Sequence, residues 1–184
     1  MKTVLHVGCG PQSVLGTVGK YGFSADEWRE VRLDVNPAVQ PDIIGTMTDM
    51  KAVASGSMDA VYSAHNIEHL YPHEVPLALR EFRRVLKPDG FALIICPDIQ
   101  AVAELVAQGK LMEPAYQSSA GPISALDMMY GHRPSLAAGS LTMAHHTAFT
   151  LSSLIQACLD AGFGKATGER SALFGLSVLA TVKA

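Results

Sequence analysis

Two glycines and one acid carry the first chemical signal. Gly8-Cys9-Gly10 directly follows an apolar run at 3–7 (TVLHV), and Asp34 lies in a second one at 31–35 (VRLDV). A buried strand ending in Gly-x-Gly lets backbone approach a ligand, because glycine has no side chain in the way. An acid at the end of the next strand can accept both hydroxyl protons of a ribose. Together they describe a nucleoside-binding α/β sheet.

Further along, His65, Glu68, His69 and His73 recur at close spacing. Pro72 interrupts any helix that would put them on one face, and no second cluster has clear ligand spacing, so no metal site is expected. His69 is the candidate general base, useful if the group being modified must lose a proton. A buried hydrogen-bonding role is the alternative. Tyr130, Arg133 and His145 are candidate substrate contacts. Arg133 is the only Lys or Arg between Lys110 and Lys165. Its guanidinium could fork onto a carboxylate or phosphate, or pair structurally with Asp127.

Elements must position these groups. After the strands at 3–7 and 31–35, Ile43-Ile44 and 58–62 read as two more, and 13–20 as a short helix weakened by Gly16 and Gly19. The clearest helix is 73–87, with Val75, Leu79, Phe82 and Leu86 on one face and Arg83, Arg84 and Lys87 in its last turn. Pro88-Asp89-Gly90 then turns the chain into 91–96 (FALIIC), an apolar run suited to a strand covered on both faces. A helix at 151–160 has Thr150 as N-cap, a Phe149/Leu154 staple and Gly162 beyond its end. Residues 174–182 read as a final strand. Alternating strands and helices predict a doubly wound, mostly parallel sheet with ligands at the carboxyl ends of its strands. The anomaly is 99–148. It opens with a helix at 99–109, becomes rich in turn-forming residues, and is far longer than an ordinary connection, as a lid or substrate module would be.

Bulk properties narrow the field. The 184 residues fit a single domain spanning 1–184, with the excursion at about 99–148. A net charge of −3 with no basic run argues against a nucleic-acid partner. The three cysteines are scattered and lack metal-finger spacing, which suits reduced thiols in a cytoplasmic protein. The first strand begins almost at once, leaving no room for a leader, and no apolar stretch is long enough to span a bilayer.

These residues bear a resemblance. VLHVGCG (4–10), LDVNP (33–37), TDM (48–50), SMDAVYSAHNIEHL (57–70), EFRRVLKPDGFALIICPD (81–98) and HHTAFT-LSSLIQACLDAGF (145–163) stand in the order found in class I S-adenosylmethionine (AdoMet)-dependent methyltransferases of the type 11-like, small-molecule kind. The glycine turn alone is weak, since nicotinamide enzymes share it. HNIEHL followed by REFRRVLKPDGF is far more specific. The resemblance implies a Rossmann-like, seven-stranded, mostly parallel sheet with an antiparallel C-terminal strand. It implies AdoMet as cofactor, S-adenosylhomocysteine as product and a small-molecule methyl acceptor. By the same resemblance the cofactor contacts are His6, Gly8, Cys9, Gly10, Asp34, Val35, Asp49, Met50 and His65. Asp34 would hold the ribose, Asp49 the adenine amine, and Met50 the ring face. His6 stands where the family usually has an acid, and Pro11-Gln12 replace the third glycine. The N-terminal helices that often cover the substrate are absent, so cover would come from 99–148 or from a second subunit of a homodimer. A non-catalytic AdoMet-binding protein is the alternative reading. A nicotinamide-dependent oxidoreductase is the more distant one, disfavoured by the lost third glycine and by the Pro-Asp-Gly turn.

Overall fold

The computed structural model describes residues 1–17 and 22–184. The apolar run before the glycines is strand β1 (Lys2–Val7), buried from Val4 to its end. It runs parallel to β2 (Trp28–Asp34), which carries β3 (Ile43–Ile44) on its outer side. On its other side β1 pairs in parallel with β4 (Met58–Ala64). Chain order therefore reverses between β1 and β4, and a crevice opens there beyond the strand ends.

Helix α1 (Val75–Val85) connects β4 to β5 (Leu86–Pro97), which lies parallel to β4. The helix buries Val75, Ala78, Leu79, Phe82 and Val85, the apolar face seen in the sequence. It is shorter than 73–87 at both ends. Tyr71's amide donates to the Glu74 carboxylate at 2.8 Å in the preceding turn, and Leu86 is already extended and pairs with Met58. Lys87–Gly90 bulge out of β5: Met58 faces Leu86, but Ala60 faces Phe91. The expected Pro-Asp-Gly turn is thus an interruption within one strand. Lys87 anchors it, its Nζ 2.8 Å from Asp59 Oδ1.

The excursion leaves and returns at one place. Asp98 caps α2 (Ile99–Ala107) by accepting the Gln100 amide, and the Ile99 amide donates to the Phe149 carbonyl at 3.0 Å. Between these ends lie a hairpin of β6 (Pro114–Ser118) and β7 (Gly121–Ser124), then α3 (Ala125–Tyr130) and α4 (Arg133–Ala137). Val102, Ile123, Ala125 and Met128 give this module its own small core. The hairpin and the short helices lay outside the sequence reading. The segments are too short to show a period.

Helix α5 (Leu151–Asp160) matches the expected limits and is held by the Thr150 cap, which closes a capping box with Ser153. After it come β8 (Lys165–Arg170) and β9 (Gly175–Thr181). Strand β9 inserts antiparallel between β5 and β8, giving the order β3-β2-β1-β4-β5-β9-β8. The α/β class and the antiparallel last strand agree with the expectation. Strand β8 was missed, because KATGER has one half-buried residue in six.

Helices α1 and α5 share the core of Leu5, Val7, Ile94 and Val178. Val4, Val14, Phe23, Trp28 and Ala60 form a second core, on the opposite face of β1. The expected helix at 13–20 is not seen where it is described. Thr17's amide closes a turn onto the Val14 carbonyl, Leu15 bridges Phe23, and 18–20 lie outside the described residues.

Candidate functional site

A cavity of about 900 Å³ opens at the carboxyl ends of β1, β2 and β4. Such a volume is in the upper range for small-ligand pockets. Val7, Gly8, Gly10 and Pro11 line it from the first turn, Leu33, Asp34 and Val35 from the second. Each glycine has a distinct reason. Both have positive φ, +61° at Gly8 and +55° at Gly10. A Cβ on Gly8 would lie 2.6 Å from Asn66 Nδ2, whereas one on Gly10 would meet nothing within 4 Å. Gly8 is therefore fixed by packing. Gly10 leaves room on the open side.

Asn66 explains the close approach. Buried after β4, it donates from Nδ2 to the Val7 carbonyl and accepts from the Ser63 hydroxyl at Oδ1. The ends of β1 and β4 are thereby tied at the crevice. Asp34 secures the same turn from the other side. Its Oδ2 accepts the Gly10 amide at 2.9 Å and its Oδ1 the Asn36 amide at 2.8 Å. Each oxygen keeps capacity for one more donor, which two adjacent hydroxyls of a ribose could supply. Arg32, absent from the sequence reading, completes the frame. It donates to the carbonyls of Gly10, Val39 and Gln40, joining the glycine turn to the 3₁₀ turn Pro37–Val39.

His6, Cys9, Asp49 and Met50 are not brought to the cavity. Side chains alternate along a strand, so His6 shares the face of Val4. There its Nδ1 lies 2.7 Å from Glu30, its ring meets Tyr62 edge-on, and burial lowers its pKa. The acid of this region is Glu30. Burial pushes its pKa up, but hydrogen bonds from Ser13, the Val14 amide and His6 outweigh that and hold it below the usual carboxylate range. Cys9 is buried behind the turn, its amide on the Leu33 carbonyl. Asp49 is exposed and paired with Lys51 at 2.8 Å, and Met50 is in the core with its amide on Glu81. Thr46 and Met47 line the cavity beside Asp34 instead. The chain turns between Thr46 and Asp49, which swings the later residues away.

His65, His69, Leu70 and Tyr71 form the β4 side of the cavity, and Leu141–Met143 with His146 form a strap across it. His65 is in a left-handed conformation at φ +54°. The Glu68 carboxylate 3.7 Å from its Nδ1 holds its imidazole above the ordinary range, against the opposing effect of burial. His69 has a carbonyl near each ring nitrogen, Ala144 at 3.0 Å and His65 at 3.1 Å. Each ring nitrogen therefore faces an acceptor to which it can donate, the geometry of a positioning residue. Tyr71 and His146 stack with ring centroids 4.2 Å apart, making a flat wall.

Tyr130, Arg133 and His145 do not line the cavity. Arg133 pairs with Asp127 at 2.8 Å, the structural alternative named above. Asp127 closes the capping box of α3 with Ser124. His145 Nδ1 donates to the Met128 carbonyl at 2.9 Å, and burial lowers its pKa.

Comparison with known proteins agrees with this geometry. Residues 5–94 match the family model described as a methyltransferase domain. A probable methyltransferase, ltbC of Aspergillus luteorubrus, is 32% identical, with 47% of this chain and 37% of the relative covered. The chain thus spans little more than a third of that relative. The 1,6-didemethyltoxoflavin-N1-methyltransferase of Burkholderia thailandensis, solved with 1,6-didemethyltoxoflavin and S-adenosylhomocysteine bound, superposes with a TM-score of 0.58 at 14% identity, covering 99% of this chain and 71% of that one. A SAM-dependent methyltransferase of Methanosarcina mazei gives 0.59 at 13% identity, covering 99% and 93%. Residues 5–94 are thus similar to a methyltransferase domain, and the sheet has the Rossmann-like fold of the solved methyltransferases.

Proposed function

We propose that this chain binds AdoMet in the cavity at the ends of β1, β2 and β4 and transfers its methyl group to a small-molecule acceptor held under the strap. The observation that carries the proposal is one continuous cavity. It has Gly10 and Asp34 at one side and Tyr71, His146 and Leu141–Met143 at the other. The methionine end of the cofactor would pass Gly8 and Gly10, and the ribose would meet Asp34. The adenine would lie by Val35, Thr46 and Met47, and the reactive methyl would point toward His65 and His69.

AdoMet supplies an electrophile already activated by its sulfonium charge. The protein's task is then to position the acceptor and exclude bulk water. The stacked Tyr71 and His146 rings suit a flat acceptor. The Burkholderia structure, solved with 1,6-didemethyltoxoflavin and S-adenosylhomocysteine bound together, is consistent with a small-molecule acceptor. His69, engaged on both nitrogens, shapes the floor.

The chain is read as one methyltransferase domain over 1–184, with 99–148 as its acceptor-side module. The net charge of −3 supports a small acceptor over a nucleic acid. Three buried, unpaired cysteines support a cytoplasmic setting. Among the described residues no helix is long and apolar enough to cross a membrane. The proposal is tested by incubating the chain with methyl-labelled AdoMet and small-molecule extracts. Transfer of label with stoichiometric S-adenosylhomocysteine is expected. Tight AdoMet binding without turnover on any acceptor fraction would favour a non-catalytic binding protein.

A further inference from the structure

Glu68 is the least explained side chain in the structure. It is 2% exposed, yet neither carboxylate oxygen has a hydrogen-bond partner, and the ionic contact it does have, to His65 Nδ1, is long at 3.7 Å. Buried carboxylates are ordinarily paired or bound to a metal. Around this one, single ligand atoms of Glu68, His69 and His145 all lie within 4.8 Å of one another. His73, which the local spacing suggested, is outside the group and stacks on Tyr71. His145 takes its place from a distant part of the chain, beyond the reach of any local spacing pattern.

The surroundings resemble an outer shell. His145 donates Nδ1–H to the Met128 carbonyl at 2.9 Å, which fixes its tautomer and leaves the Nε2 lone pair available. The Ala144 carbonyl lies 3.0 Å from His69 Nδ1 in the same role. Carbonyls that orient imidazoles in this way are typical partners of metal-ligating histidines. To ligate, His69 must exchange the 3.1 Å contact of its Nε2 with the His65 carbonyl for the ion. The segment carrying His145 is already sewn to Glu68, whose backbone carbonyl accepts the amides of His146 and Thr147 at 2.9 and 3.2 Å.

We propose that Glu68, His69 and His145 form a binding site for a divalent transition-metal ion of the zinc class, clamping the strap to the turn after β4. Two imidazoles and a carboxylate suit zinc or cobalt. Donor atoms at about 2.1 Å around a tetrahedral ion are about 3.4 Å apart, so binding draws in those of the three groups that stand farther apart, all of them already within 4.8 Å. The fourth position stays open beside the cavity, since His65 and His69 line it. The proposal does not depend on the methyl-transfer reading.

The test titrates chelator-stripped full chain with Co²⁺, followed by visible absorption and calorimetry, without AdoMet. One equivalent should bind with the visible bands of tetrahedral cobalt, displaced by Zn²⁺. Glu68→Gln and His145→Ala should each weaken binding more than about tenfold, and His73→Ala should not. Unchanged binding in Glu68→Gln and His145→Ala, or no stoichiometric binding by the wild type at micromolar metal, overturns the site. X-ray absorption on the zinc-loaded wild type needs no variant. Two imidazoles with oxygen are expected, whereas sulfur or fewer than two imidazoles would overturn it. Failure here leaves S-adenosylhomocysteine affinity, measured on metal-free protein, untouched.

Discussion

Asp34→Ala isolates the residue on which the proposed cofactor geometry turns. Each carboxylate oxygen accepts one backbone amide, from Gly10 at 2.9 Å and Asn36 at 2.8 Å, and has capacity for one hydroxyl. A hydrogen bond to a charged group contributes about 1.5–3 kcal/mol. Two lost together amount to about 3–6 kcal/mol, roughly a 10²- to 10⁴-fold rise in the Kd for S-adenosylhomocysteine. The cost to folding is smaller, because Asn36 is exposed and water can replace its lost partner. Calorimetric titration of wild type and variant, with thermal melts to confirm folding, measures the effect. A dideoxy analogue of the ligand provides the control: lacking both hydroxyls, it should bind the two proteins with similar affinity. A folded variant whose Kd for the full ligand changes less than about threefold would refute the placement of the ribose.

Gly8→Ala puts a Cβ 2.6 Å from Asn66 Nδ2 at a φ of +61°, so both the strand tie and ligand affinity should fall, by melt and titration. Gly131→Ala places a Cβ 2.0 Å from the Met143 carbonyl oxygen at φ +101°. Backbone strain of this kind costs about 1–3 kcal/mol, read in chemical denaturation, and the displaced strap should lower turnover more than S-adenosylhomocysteine affinity. Asp127→Asn weakens the α3 capping box, at a cost of about 1–2 kcal/mol near neutral pH. The Asp127 carboxyl lies below its usual range: burial raises it, but Arg133 and Ser124 more than offset that. A group depressed in the folded state stabilises fully above the unfolded carboxylate pKa of about 3.9 and progressively less below it. The stability gap between wild type and Asp127→Asn should therefore narrow as pH falls from 5 toward 2. A constant gap would count against the ionised network.

Local signals made part of this molecule legible. The glycine turn, Asp34, α1 and α5 follow from glycine placement, capping residues and helical periodicity within a dozen residues, and the structure has them. His6 was misplaced although its strand was right, because family position outweighed alternation: residue 6 shares a face with Val4, away from the cavity. Thr46 and Met47 were missed in favour of Asp49 and Met50 because a tight turn, invisible as periodicity, decides which residues face inward. Arg32, Asn66 and the meeting of His145 with Glu68 depend on contacts between distant segments. No spacing rule encodes those.

The β1–β2–β4 cavity is proposed here as an adenosyl-cofactor site. Its most direct test is calorimetric titration of the full chain with S-adenosylhomocysteine, with AdoMet and NAD in parallel. One equivalent of each adenosyl ligand should bind, mutually competitive, with no heat from NAD. At a hundred times its Kd the bound ligand should add about 2.7 kcal/mol of stability. Binding of NAD, or no binding of either adenosyl ligand by folded protein, would rule out an adenosyl-cofactor site in this cavity.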